Sequence, residues 1–249
     1  MHDHVQSAER FTRALGLNQQ PVAIYYSDEL PSEAHTFEPD AGWACIVNLF
    51  VKAAQGQACA ADKHTSGCGG AMRQLGFDNS VREHFYEFLS CGVPGKVEGE
   101  RYIRTPEIAE RFIREQYWRP APARWCVFMP WPQVPADITP EIVVLFERPD
   151  VISGLVVQAD YTREAVDTTV VRFTSGCGSV VMVPLSEAES DDPHAVLGMT
   201  DISARKFFGQ ELLSYAVPWD LLLRMEADLG ESFLIQEPWL TVRQRGENK

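Results

Sequence analysis

The pentapeptide Thr65-Ser66-Gly67-Cys68-Gly69 recurs in the second half of the chain as Thr174-Ser175-Gly176-Cys177-Gly178. Any fold of this chain has to seat two cysteines in glycine turns. Glycine on both sides lets the backbone approach whatever the sulfur touches, and it opens turn conformations closed to residues with a Cβ. Small or apolar residues follow each copy, Gly70-Ala71-Met72 after the first and Ser179-Val180-Val181-Met182 after the second. A helix starting there would aim its free N–H groups and its dipole at the sulfur, which favours a thiolate. The pattern predicts a site for a metal, a cluster or a covalent adduct without choosing among them.

The rest of the composition narrows the partners. The 249 residues carry 22 basic and 35 acidic side chains, a formal charge of −13, and 45% are hydrophobic. That is enough apolar material for a sizeable core and argues against wholesale disorder. An acidic chain with no basic stripe is a poor match for nucleic acid or an anionic membrane surface. Its field suits a metal ion, a neutral or cationic small molecule, or a protein partner. No window has the ~20 uninterrupted apolar residues of a membrane span. Met1 to Ser7 lacks the basic and apolar pattern of a signal peptide, so a cytoplasmic location is expected. There, Cys45, Cys59, Cys68, Cys91, Cys126 and Cys177 are thiols or ligands rather than disulfides. Their dispersed spacing lacks the C-x-x-C knuckles of a zinc ribbon.

Periodicity and punctuation give the elements. Helices are expected at Val5–Leu15, stopped by Gly16, at Trp43–Ala54 with Cys45 near its start, at Ser80–Ser90, at Thr105–Tyr117, at Pro149–Tyr161 and at Trp219–Leu229. Thr105-Pro106-Glu107 has the capping residue and first-turn proline of a helix start. Strands are expected at Pro21–Tyr26, Gln57–Asp62, Trp125–Met129, Ile142–Phe146, Thr169–Phe173, His194–Met199 and Leu212–Val217. Ser186–Asp192 reads as an acidic loop, and the residues after Leu229 as a tail. The fold class is α+β, with mixed sheet flanked by helices. Each cysteine loop follows a strand, which suggests two pseudo-symmetric strand–loop–helix halves. No Gly/Ser linker divides the chain, so residues 1–249 are read as one compact domain.

Several segments together resemble a known family. They are Pro21-Val22-Ala23-Ile24, Cys45, and Cys68-Gly69-Gly70-Ala71 running to Leu75-Gly76-Phe77. Further on come Pro140-Glu141-Ile142-Val143-Val144-Leu145-Phe146, the Cys177 loop, and Leu197-Gly198-Met199 leading to Ala204-Arg205. In order and spacing they resemble the uncharacterised prokaryotic family called domain of unknown function 169. The resemblance implies no activity. It does select Cys45, Cys68 and Cys177 among the cysteines. It also implies a further cysteine after the glycine of the Leu197-Gly198-Met199 segment, where this chain has Met199 instead, a weak, soft thioether.

Three kinds of chemistry fit these residues. Cys45, Cys68 and Cys177 are candidate ligands of an iron–sulfur cluster or another thiophilic metal, with Gly69 and Gly178 beside the sulfurs and Met199 at a fourth corner. A divalent ion such as zinc would draw on Cys68, Cys177, His64 and Cys59, with Asp62 orienting the imidazole. Without a metal, Cys68 or Cys177 would be a low-pKa nucleophile or a redox pair, with His64 as the base. Against all three stands the readiness of free cysteine to fill apolar space. Arg205 and Lys206 are an anion site or a solvated pair. The six tryptophans, Trp43, Trp118, Trp125, Trp131, Trp219 and Trp239, read as core or interface anchors, and a homodimer would suit them. Nothing resembles a dinucleotide fingerprint, a phosphate loop or a serine nucleophile elbow. The leading expectation is a cysteine-lined site for redox chemistry, metal handling or ligand sensing. The alternatives are a binding module with structural cysteines and an enzyme with a cysteine nucleophile.

Overall fold

The structure, a computed structural model, describes residues 1–37, 44–64, 68–162 and 167–247. The first half runs α1 (His4–Leu15), β1 (Val22–Ser27), α2 (Val47–Ala54), β2 (Cys59–Ala61), α3 (Gly69–Gln74), α4 (Phe85–Leu89), α5 (Pro106–Glu115) and β3 (Trp125–Pro130). The second continues with β4 (Ile142–Glu147), α6 (Pro149–Asp160), β5 (Thr169–Val170), α7 (Gly176–Val180), α8 (Met182–Ala188), β6 (Ala195–Gly198) and α9 (Ile202–Arg205). It closes with β7 (Leu213–Pro218), α10 (Trp219–Ala227) and α11 (Glu237–Glu247).

The seven strands form one mixed sheet in the order β2-β3-β1-β4-β7-β6-β5. Every pairing is antiparallel except β5 with β6. Alternation along each strand supplies two apolar faces, as side chains of period two require. Val22, Ile24, Cys126, Phe128, Ile142, Val144 and Phe146 point to one face, where residues of α2, α3, α7 and α8 cover them. Ala23, Tyr25, Val127, Val143, Leu145, Tyr215 and Val217 point to the other, under α1, α6, α10 and α11. β4, in the middle, is buried along its whole length. Each fully buried Leu, Ile or Phe in these layers contributes about 1.5–3 kcal/mol.

Local signals explain most boundaries. The Asp3 carboxylate accepts the Gln6 N–H at 3.0 Å to open α1, and Gly16 closes it in the left-handed region at φ 68°. Thr105 caps α5, with Pro106 in its first turn.

Elsewhere the expected elements change. α2 begins at Val47, leaving Cys45 two residues ahead of it; Trp43 lies outside the described residues. The expected helix at Ser80–Ser90 shrinks to Phe85–Leu89, because His84 takes φ 59° and cannot continue a right-handed helix. The expected strand Thr169–Phe173 stops at Val170; Val171 turns out to solvent, and the half-exposed Phe173 packs on Tyr102 and Phe112. Residues expected as an apolar run and an acidic loop form α7 and α8, where Pro184 sits in a first turn that needs no N–H donor. The expected tail contains α11. Its Trp239 lies on the bare face of Gly154, where a Cβ would come within 2.4 Å of the indole. The indole N–H also donates to the Ala14 carbonyl at 2.9 Å.

The α+β class holds. The pseudo-symmetry stays incomplete: the cysteine loops follow β2 and β5, the two opposite edges of the sheet, but β2 pairs antiparallel and β5 parallel.

Candidate functional site: a cysteine corner at three helix starts

The two cysteine helices run back from opposite sheet edges and meet over one face, where α3 touches α7. Cys68 is the residue just before α3, and its carbonyl accepts the Met72 N–H at 3.1 Å. Cys177 lies in the first turn of α7. Ser175 caps that turn: its Oγ accepts the Gly178 N–H at 3.2 Å and lies 3.4 Å from the Cys177 sulfur. Cys45 precedes α2, with the Asn48 N–H on its carbonyl at 3.1 Å and the Val47 N–H directed at its sulfur. All three pack into one core with Met199 and Ala204. They also lie close enough for the Cys68 charge to act on both Cys45 and Cys177.

The glycines of the second loop have a visible purpose. A Cβ on Gly176 would stand 2.8 Å from the Ala204 Cβ and 3.2 Å from the Met199 sulfur. A Cβ on Gly178 would stand 2.4 Å from Thr174 Oγ1 and 2.8 Å from Gln74 Oε1. Real Cβ atoms do not approach that closely, so glycine is what lets the loop lie against its neighbours. Gly69, the counterpart of Gly178, has open space where its Cβ would be.

Electrostatics in this corner run against free thiolates. Burial pushes the Cys177 thiol up to about 12, against the opposing hydrogen bond of Ser175, and the charges of Cys68, Cys45 and Asp201 add to the rise. Burial also raises Cys45, while the Val47 N–H and the Lys206 ammonium work the other way. The expected thiolate at a helix start is therefore overruled by desolvation. Asp201, buried and 7% exposed, holds the second loop in place. One carboxylate oxygen accepts the Gly176 N–H at 2.9 Å, and the other accepts the Ser203 N–H and hydroxyl at 3.0 and 2.9 Å. Glu100 is raised by burial and by Asp201, opposed by Arg82 and Lys206. Lys206, whose ammonium lies 5.0 Å over the Phe207 ring, is thus a cation beside thiols and acids.

The other candidate residues divide. Met199 is wholly buried in the corner at φ 60°, and its N–H donates to Ser179 Oγ at 3.0 Å. Cys59 sits in β2 and donates to the Gln57 carbonyl, with burial pushing its thiol up to about 11 and Lys52 opposing. Asp62 accepts the backbone N–H of His64 at 2.9 Å and pairs with Arg124. Arg205 donates to the carbonyls of Leu212, Gly209 and Gln210, tying a turn together. His194 stands just before β6, its Nδ1 2.7 Å from a Glu187 carboxylate oxygen. Thr65, Ser66 and Gly67 of the first loop lie outside the described residues. None of the six cysteines forms a disulfide among the described residues. No group of three or more His, Cys, Asp or Glu among them is placed to hold a metal ion.

Asp201, Gln74 and Thr174 escaped the sequence reading. For Asp201 there was a signal: an Asp two residues before Ser203 at a short helix start is a capping pattern. Gln74 gave none, because its role comes from where Gly178 lands, and Thr174 opens the repeated pentapeptide without anything in the repeat marking its hydroxyl.

No helix among the described residues is long and apolar enough to cross a membrane. The chain matches no curated protein and no solved structure. The chain does match a family model across residues 10–228, a span that holds the whole sheet and all three corner cysteines. The protein therefore belongs to domain of unknown function 169, a family described as uncharacterised ArCR.

Proposed function

We propose that the corner of Cys45, Cys68 and Cys177 holds an iron–sulfur cluster or another polynuclear thiophilic centre, and that the protein serves redox chemistry, metal handling or ligand sensing through it. The observation that carries this reading is that three cysteines from three separate segments share one core with the buried Met199, with Cys68 near enough for its charge to act on both Cys45 and Cys177. Thiolates and thioethers are the soft donors such centres prefer. A single ion is a poorer fit. All its sulfur ligands must lie ~2.3 Å from one point, and no such grouping occurs among the described residues. A cluster carries several irons and reaches cysteines that stand further apart. Bound there, it would supply one-electron transfer or an open iron site. The chain would contribute three thiolates, the apolar cover of Met199 and Ala204, and the N–H groups at the starts of α2, α3 and α7.

Anaerobically purified protein should contain iron and acid-labile sulfide, with visible absorption. All of it should be lost on replacing Cys45, Cys68 or Cys177 by Ser and retained on replacing the exposed Cys91. Protein free of iron and sulfide after anaerobic reconstitution would end this reading. The burial of Cys177 favours a second one, a binding module whose cysteines are structural. That alternative predicts normal folding of Cys177→Ala with no metal at any stage.

A further inference from the structure

A second feature lies next to the corner and is independent of what the cysteines hold. A cleft of about 370 Å³ opens between α5 and the second cysteine loop. That is within the range of small-molecule sites, which are apolar with a few convergent polar groups. Phe112, Phe173 and Tyr117 form its walls and Met182 its floor. At its inner end are the Gln74 amide and the Thr174 hydroxyl, both on residues more than nine-tenths buried. Neither side chain hydrogen-bonds to any described residue. Their oxygens converge on the bare face of Gly178. Both residues line the open cleft, so a ligand's polar edge entering it can bond these two side chains in place of water.

The groups define the ligand. A glutamine amide offers one acceptor and a donor side by side, matching a ring edge with adjacent N–H and C=O groups, as in bidentate reading of a base. Thr174 adds a hydroxyl that can give or take a third bond. Aromatic walls suit a flat ring. The cleft's charges are balanced: the Arg172 guanidinium is engaged by Glu187, and Glu115 stands on the other side. We propose that this cleft binds a flat, uncharged heterocycle with a lactam edge, held by Gln74 and Thr174 between aromatic walls.

The test uses the full chain and two probes with that edge, uracil and lumichrome, followed by ligand-observed NMR and calorimetry. Saturable binding is expected for at least lumichrome, and at least ten-fold weaker binding for 1,3-dimethyluracil than for uracil wherever uracil binding is measurable. Gln74→Leu and Thr174→Val should each weaken lumichrome at least ten-fold while the thermal midpoint is retained. Should Gln74→Leu fail to fold, the near-isosteric Thr174→Val carries the test. Lumichrome should bind equally to protein prepared with and without iron and sulfide, which separates this site from the cysteine corner. No saturable binding of either probe would overturn the proposal, and so would binding that the folded variants leave unchanged.

Discussion

The two TSGCG segments share every letter, yet they sit in different surroundings. Cys177 is 8% exposed, while Cys68 is half-buried. Gly178 is pressed against Thr174 and Gln74, whereas Gly69 faces open space. The second loop is bound down by Asp201 through the Gly176 N–H. What differs is the company. The second loop meets Met199 and α9, which come later in the chain and fold back over it. The Cys-Gly pair that ends each copy is thus tightly packed at Cys177-Gly178 and more accessible at Cys68-Gly69.

The largest expected effect is in thiol reactivity. In chelator-treated, reduced protein at pH 8, a thiol near pKa 12 is ionised in roughly one molecule in ten thousand. Iodoacetamide followed by peptide mass spectrometry should therefore label Cys68 and the exposed Cys91 well before Cys177. Equal rates at Cys68 and Cys177 would break the comparison.

Glycine substitutions sharpen it. Gly178→Ala should cost about 1–3 kcal/mol in urea unfolding, as overpacking does. Gly69→Ala, in open space at a helix start, should be neutral or add up to about 1 kcal/mol by restricting the unfolded chain. If the two cost the same, the difference in packing has no energetic weight. Asp201→Ala comes next. It leaves the buried Gly176 N–H unsatisfied and should cost about 1–3 kcal/mol, with faster labelling of Cys177 and little change at Cys68.

The smallest effect comes from the opposite face, and it tests whether the contrast between the loops is local. His4 accepts the Trp131 indole N–H on Nδ1 and donates from Nε2 to the Ile138 carbonyl, so it is held neutral. Burial lowers its pKa below the usual 6.5, helped by His2 and opposed by the Ile138 bond and Asp3. A histidine lowered on folding contributes stability above pH 6.5 that is lost as pH falls below it. A modest loss of stability between pH 7 and 5, reduced in His4→Gln, is expected. The labelling order of Cys68 and Cys177 should survive it.

Much of the frame was readable in the letters. Ile142–Phe146 reads as a strand because it is an unbroken β-rich run, and Val5–Leu15 reads as a helix stopped by Gly16. Where reading failed, long-range contacts were responsible. α11 has weak amphipathic character and is held by Trp239 on Gly154. The helix expected from Ser80 is cut by the left-handed His84. The strand expected to reach Phe173 gives way because Phe173 packs on Tyr102 and Phe112 instead of continuing the sheet. At the site, the three cysteines and Met199 could be picked from the repeat and the family resemblance, while Gln74 and the parts played by Asp201 and Thr174 could not.

The chain's own letters determined the local turns: glycines that permit them, a serine that caps α7, and alternating residues that give the sheet two apolar faces. Such features act over a few residues, and local sterics and hydrogen bonds settle them. Only the tertiary structure decided that loops following opposite edges of one sheet should meet, that Cys177 should be sealed and Cys68 left accessible, and that Gln74 and Thr174 should face a cleft. Those outcomes depend on which distant side chains share a space, and burial, which no local pattern encodes, sets both the packing and the charge of what is placed there.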